Sequence, residues 1–238
     1  FKLLAENDIN IQVVTTSEIR VSVLIDSDRC TDAVEVIHRG FGLDQPTTPL
    51  PNVGHETNAN TTDAPIPDAA RIADVVARLD GMESILVSDV SVDTAQSRIT
   101  VTELPDDPGI AQAVFNSIAE GGVLVDLIVQ NAPRQGRAGI SFTVPNSDLD
   151  RSLLLLREVL DRHPQAVVTS DRLIGKLTVS GIGLRSHTDV GRRVFHTLAQ
   201  HSINVEMIST SEIKLSVVVA AKDADRALSA LQAEFALV

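Results

Sequence analysis

The sequence contains a duplicated segment. Residues 1–43 align without a gap on residues 195–237, and about a third of the pairs are identical. The run Ile9-Asn10, Thr16-Ser17-Glu18-Ile19 and Ser22-Val23 returns as Ile203-Asn204, Thr210-Ser211-Glu212-Ile213 and Ser216-Val217. Nearly all apolar positions stay apolar in both copies. A duplicated folding unit diverges in this way, because its core is held while its surface drifts. The first copy lacks the front half that the last copy has, so the sequence is expected to start inside a unit of a larger protein.

Periodicity gives each unit its element order. In the last unit, Leu173–Ser180 alternates apolar and polar residues as a strand does. Asp189–His201 carries Val190, Val194 and Leu198 on one helical stripe. Ile203, Val205 and Ile208 suggest a second strand and Ile213–Val219 a third. Asp223–Phe235 then places Ala224, Ala227, Leu228, Leu231 and Phe235 at helical spacing. A middle section repeats the order: a strand over Arg98–Glu103, a helix over Pro108–Glu120, strands over Val123–Val129 and Ile140–Val144, a helix over Leu149–Leu160, and a closing strand at Ala166–Val168. Val125 aligns with Val205 and Ile128 with Ile208. The expected fold is α+β, with β-α-β-β-α-β units that lay helices on one face of four-stranded antiparallel sheets. Residues 44–67 hold five of the ten prolines and read as a linker. Asp68 then caps an amphipathic helix through Leu79.

The charge balance narrows the partners. A formal net charge of −12 argues against nucleic acid or anionic membrane as partner. No apolar run reaches the ~20 residues of a membrane span. A single cysteine, Cys30, forbids an intrachain disulfide and fits a reducing, cytoplasmic setting. The six histidines show no metal-ligand spacing, no phosphate-cradling loop is present, and no catalytic grouping is marked. No catalytic or metal-binding residue is expected.

One loop offers binding chemistry. Leu104-Pro105-Asp106-Asp107-Pro108-Gly109-Ile110-Ala111 joins a strand to a helix. Proline suits a first helical position, and the N–H groups that follow form a seat for a carboxylate. Asp106 can receive an ammonium. The loop therefore complements both ends of a free α-amino acid. Gln130-Asn131, at the end of the second strand, adds two amides that can serve either polarity. The twin Thr-Ser-Glu runs stand at matching strand junctions, where turn capping is their simplest role.

Taken together, Asp106-Asp107-Pro108-Gly109, Val125 to Asn131, Ile140-Ser141-Phe142-Thr143, Ser186-His187-Thr188 and Ile203 to Ser216 resemble the regulatory region of aspartate kinase, built from tandem ACT domains. The resemblance implies an ACT tail over 1–43, a linker and helix over 44–82, one ACT domain over 97–166, and another over 83–96 and 167–238 with the former inserted in it. It implies an allosteric region that binds lysine or threonine and inhibits the phosphorylation of aspartate. ATP and magnesium would serve an upstream kinase domain, and this chain itself would need no cofactor. It also implies a homo-oligomer formed through ACT–ACT pairing. Effector-binding positions carried over by motif are Asp106, Gly109, Ile110, Ala111, Gln130 and Asn131, with Asn204, Ile208 and Ile213 facing the site from the last domain. Three departures stand out: Asp107 where a basic residue is common, Asp189 for glycine, and Arg192-Arg193 for small residues. A purely structural ACT module is the alternative.

Overall fold

A computed structural model describes residues 1–17, 20–44, 86–182, 184, 188–211 and 213–237. The linker and amphipathic helix expected over 44–82 lie outside these residues, apart from Asp44. Among the described residues the order is α1 (Lys2–Ala5), β1 (Val13–Ser17), β2 (Arg20–Leu24), α2 (Cys30–Gly40), β3 (Leu86–Asp93), β4 (Gln96–Pro105), α3 (Ile110–Glu120), β5 (Ile128–Arg134), β6 (Arg137–Pro145), α4 (Leu149–Leu160), β7 (Val167–Asp171), β8 (Ile174–Ile182), α5 (Thr188–Gln200), β9 (Met207–Thr210), β10 (Lys214–Ala220) and α6 (Ala221–Glu234). No described helix is long and apolar enough to cross a membrane.

The strands form two antiparallel sheets. One has the order β3-β8-β10-β9, and the other the order β2-β1-β5-β6-β4-β7. The first belongs to the last unit, with β3 brought in from before the middle unit. The second is the middle unit's own four strands, extended by the hairpin of the first unit. Alternation explains the buried faces. Ile99 and Val101 on β4, Ile140 and Phe142 on β6, and Leu177 and Val179 on β8 are all fully buried, because successive side chains of a strand point to opposite faces.

The joint between the first and middle units has a particular symmetry. β1 pairs with β5 through Thr15 opposite Val129. Both residues align with Ser209 in the last unit, so equivalent positions of two copies face each other. This is the pattern of a two-fold, self-complementary contact, realised here inside one chain. The joint is backed by a common core. Leu4, Ile9, Ile11, Val14 and Ala33 of the first unit belong to the same buried cluster as Leu104, Val114, Ile118, Ile140 and Phe142 of the middle unit. Phe1 stacks on Phe115 at 5.3 Å, and Phe115 meets Phe142 edge-on at 5.6 Å, the offsets that aromatic quadrupoles favour.

The open faces of the two sheets also meet. Leu127, Ile174, Met207 and Val218 form a small apolar cluster there. Around it, Arg98 pairs with Glu206 and, at 3.8 Å, with Asp171, while Lys176 pairs with Asp126. Ser209 Oγ donates to the Thr16 carbonyl at 2.8 Å, so the first unit touches both others.

Three departures from the sequence expectation bear on the site. The strand expected over Val123–Val129 runs instead over Ile128–Arg134. Before it, Asp126 N–H donates to the Thr143 carbonyl at 3.1 Å, Thr143 N–H to the Leu127 carbonyl at 3.0 Å and Leu127 N–H to Thr143 Oγ1 at 3.0 Å, so that stretch is tied to β6 by two backbone bonds and a side chain outside the regular ladder. β9 starts at Met207 and not at Ile203. The helix expected from Pro108 starts at Ile110, and Gly109 before it has φ +95°, a conformation glycine adopts without a Cβ clash. No side chain caps this helix; the Ile110 N–H reaches the Asp107 carbonyl at 3.3 Å.

Candidate functional site

The turn at Asp106 is positioned by β4. The register of β4 on β6 shifts between Val101 and Leu104, and Glu103 there has φ +58°. Such a bulge re-aims the strand. It keeps Leu104 in the core and sends Pro105-Asp106 toward the first unit. The Asp106 N–H then donates to the Gly136 carbonyl at 3.1 Å, which pins the turn to the β5–β6 hairpin.

A cavity lies between this turn and the first unit. Its walls include Ile9, Asn10 and Ile11 on one side and Asp106, Gly109, Ile110 and Ala111 on the other, with Gln130 beneath. The atom-free space amounts to about 320 Å³ with its mouth included. Water-sized spheres fit in little more than one place, so the space is narrow.

Polar groups converge on it. Gln130 is 4% exposed; its Nε2 donates to the Ile11 carbonyl at 2.8 Å, and its Oε1 is buried without a hydrogen-bond partner. Buried acceptors are rarely left in that state. Asp106 Oδ1 accepts from Asn10 Nδ2 at 2.8 Å. No backbone hydrogen bond among the described residues uses the N–H of Ala111 or Gln112. Both lie in the first helical turn, where such donors lack intrahelical partners and carry the positive end of the helix dipole. The cavity thus combines a carboxylate, free N–H donors, an amide acceptor, and apolar walls from Ile9, Ile11, Ile110 and Ala138. That set matches both charged ends of a small zwitterion.

Of the positions named from sequence, Asp106, Gly109, Ile110, Ala111 and Gln130 line this one cavity. Asn131 does not. Strand β5 continues past it to Arg134, so Gln130 and Asn131 are interior neighbours pointing to opposite faces. Asn131 lines a separate open depression with Thr102, Arg134 and Arg137. Asn204, Ile208 and Ile213 are not at the cavity either. All three are exposed, Ile208 at 45% and Ile213 at 47%. The position expected of Asn204 is taken by its twin Asn10, because β1 and not β9 docks on β5. The duplication itself held that signal, since Ile9-Asn10 and Ile203-Asn204 are the same motif. In the last unit, the Asp189 carboxylate accepts from Arg192 at 2.9 and 2.6 Å, and Ser186-His187 lie outside the described residues. Among the described residues no group of three His, Cys, Asp or Glu side chains could hold a metal ion.

Comparison with known proteins agrees with this architecture. A model described as "ACT domain" matches residues 1–41 and 177–235. The chain is 35% identical over 158 residues to an aspartokinase of Pseudomonas aeruginosa, covering 66% of this chain and 38% of that protein. It therefore spans little more than a third of the length of the curated relatives it matches. Among solved structures, the regulatory subunit of aspartate kinase from Thermus thermophilus in a ligand-free form is 35% identical, with a TM-score of 0.61, over 63% of this chain and 98% of that one. The aspartate kinase from Synechocystis superposes with a TM-score of 0.76 and 29% identity over 99% of this chain and 36% of its own.

Proposed function

Because the chain belongs to the aspartate kinase family, as ACT-domain regulatory sequence, we propose that it is the effector-sensing part of such an enzyme. An end-product amino acid, lysine or threonine, binds between the first and middle units. Its ammonium meets Asp106, its carboxylate meets the N–H groups of Ala111 and Gln112, and Gln130 receives a donor. Binding favours one packing of the units, and that preference biases a kinase domain elsewhere in the longer protein. The kinase domain, with ATP and magnesium, carries out the phosphorylation of aspartate in the cytoplasm. The observation that carries this reading is the convergence of Asp106, the free helix-start N–H groups and the unpartnered Gln130 Oε1 on one cavity.

The test is calorimetric titration with lysine and with threonine, separately and together. Saturable heat from one of them is expected. No heat from either, in a sample whose circular dichroism shows a folded protein, would refute the effector role and leave a structural one.

Homo-oligomer formation belongs to the same proposal. β9 is an edge strand of its sheet, and Ile208 and Ile213 stand exposed beside it. A second copy of the chain pairing along β9 would cover both. That assigns Ile208 and Ile213 to an intersubunit contact and not to the cavity around Asp106.

A further inference from the structure

The open face of the last unit's sheet changes character along its strands. At one end, Ile174, Met207 and Val218 are buried in the apolar cluster against the middle unit. Toward the other end, Ser216 of β10 stands opposite both Thr178 of β8 and Ser209 of β9, which makes a row of three hydroxyls across three strands. Lys176 and Lys214 lie two residues from Thr178 and Ser216 along their strands. Both therefore point to the same face, one on either side of the row. A sheet face left to water would expose such a row, yet Ser216 is only 8% exposed. The row is one wall of a crevice. Thr16 of the first unit and Asp126 of the middle unit stand in the other wall. The atom-free space between them is about 1080 Å³ with its mouth included, and no described residue lines both this crevice and the cavity at Asp106.

The donors in this wall are not used up. Thr178 Oγ1 and Ser216 Oγ lie 3.2 Å apart, and two hydroxyls bonded to one another spend one of their two protons. The other can donate into the crevice. The middle unit has the same hydroxyl pair, Thr100 and Ser141 at 3.0 Å, so the pair alone is a common sheet feature. The lysines are not. Their counterparts there are Arg98, which is held by Glu206 and Asp171, and Gly139. The whole sequence has four lysines, and two of them line this crevice. No arginine lines it among the described residues. An ammonium suits phosphate as a point charge, whereas the arginine fork matches a planar carboxylate. We propose that the crevice is a second ligand site, for a phosphate group, either free phosphate or the phosphate of a nucleotide. Lys214 and Lys176 supply the charge, and the Ser216 hydroxyl donates to a phosphate oxygen. Asp126 pairs with Lys176 and so competes with the ligand for it. Because the walls come from all three units, an occupied site stabilises their packing.

Calorimetric titration of this chain with sodium phosphate, at constant ionic strength, should show saturable binding. Two variants should move it in opposite directions. Lys214→Gln should weaken binding roughly tenfold, since one hydrogen bond to a charged group is lost. Asp126→Asn should tighten binding several-fold, because it removes a like charge from the crevice and the competitor for Lys176. A purely structural Lys176–Asp126 pair would lower the melting midpoint on that change and would not raise an affinity. Titration with ADP separates the two sources. Tighter binding than that of phosphate, with the same response to both variants, assigns a nucleotide; equal or weaker binding assigns free phosphate. Absence of saturable heat from both phosphate and ADP overturns the proposal. So does binding that Lys214→Gln leaves unchanged or that Asp126→Asn weakens. If Lys214→Gln lowers the melting midpoint, Ser216→Ala takes its place. It should weaken binding roughly threefold or more through the lost donor, and an unchanged isotherm overturns the site.

Discussion

Replacing Asp106 with alanine separates binding from folding. An ammonium on a part-buried carboxylate gains a charge-assisted hydrogen bond of about 1.5–3 kcal/mol. In wild type, part of that gain is offset, because the ligand must break the Asn10–Asp106 bond, a net cost of about 1 kcal/mol. The alanine variant loses the first quantity and is released from the second. The difference is about 0.5–2 kcal/mol, or roughly 2- to 30-fold weaker binding. Stability should change little. The carboxylate accepts one side-chain bond at the surface of a shared core, so about 1 kcal/mol is at stake, which for a chain of this size shifts the melting midpoint by roughly 2–4 °C. The chain has no Trp or Tyr, so calorimetry should measure affinity and far-ultraviolet circular dichroism should follow unfolding. Affinity within twofold of wild type, with folding intact, would remove Asp106 from the site and refute the assignment of its charge.

Gln130→Ala should weaken effector binding roughly three- to tenfold, less than the loss at Asp106, because one neutral hydrogen bond is lost; an unaltered isotherm would count against its role. Gly175→Ala should destabilise the last unit by about 1–3 kcal/mol, since the new Cβ would lie 2.6 Å from the Ala224 Cβ on α6, closer than packed carbons can approach. Thermal melts of that variant and of the double variant with Ala224→Gly would check it, and failure of the second change to restore any stability would refute the collision. Ile208→Asp should leave the fold intact and shift the mass measured by light scattering toward the monomer. An unchanged mass would place the intersubunit contact elsewhere.

Much of the fold was legible in the sequence because each element carried its own period. The stripe Val190, Val194, Leu198 and the alternation of Leu177 and Val179 needed nothing from outside their segments, and both sets are buried. Other features were settled by contacts remote in sequence. Thr143 draws off the backbone of Leu127, so β5 begins later than its apolar pattern suggests. The same delay carries β5 beyond Asn131, so an expected pair of site amides divides between two faces. The exchange of Asn10 for Asn204 has a different cause. Two copies of one motif are chemically equivalent, and nothing local to either says which will dock on β5. The choice lies in the shared core that Leu4, Ile9 and Val14 form with the middle unit. Asp106 was recognisable because a carboxylate, proline and glycine at a helix start serve one local geometry. Its partner Asn10, 96 residues away, was visible only as half of a repeat.

The meeting of Thr15 with Val129 bears on how such a chain could have lengthened. A strand edge that pairs with its own equivalent needs no second surface to be invented. When the segment encoding it is copied in tandem, the copy already fits the original, and each later change on one side is tested at once against the other. Tethering within one polypeptide also replaces an encounter between molecules by a local search, at an effective concentration fixed by the connecting residues. The two faces are then free to diverge, one keeping an asparagine and the other an aspartate turn, until a symmetric joint becomes an asymmetric pocket.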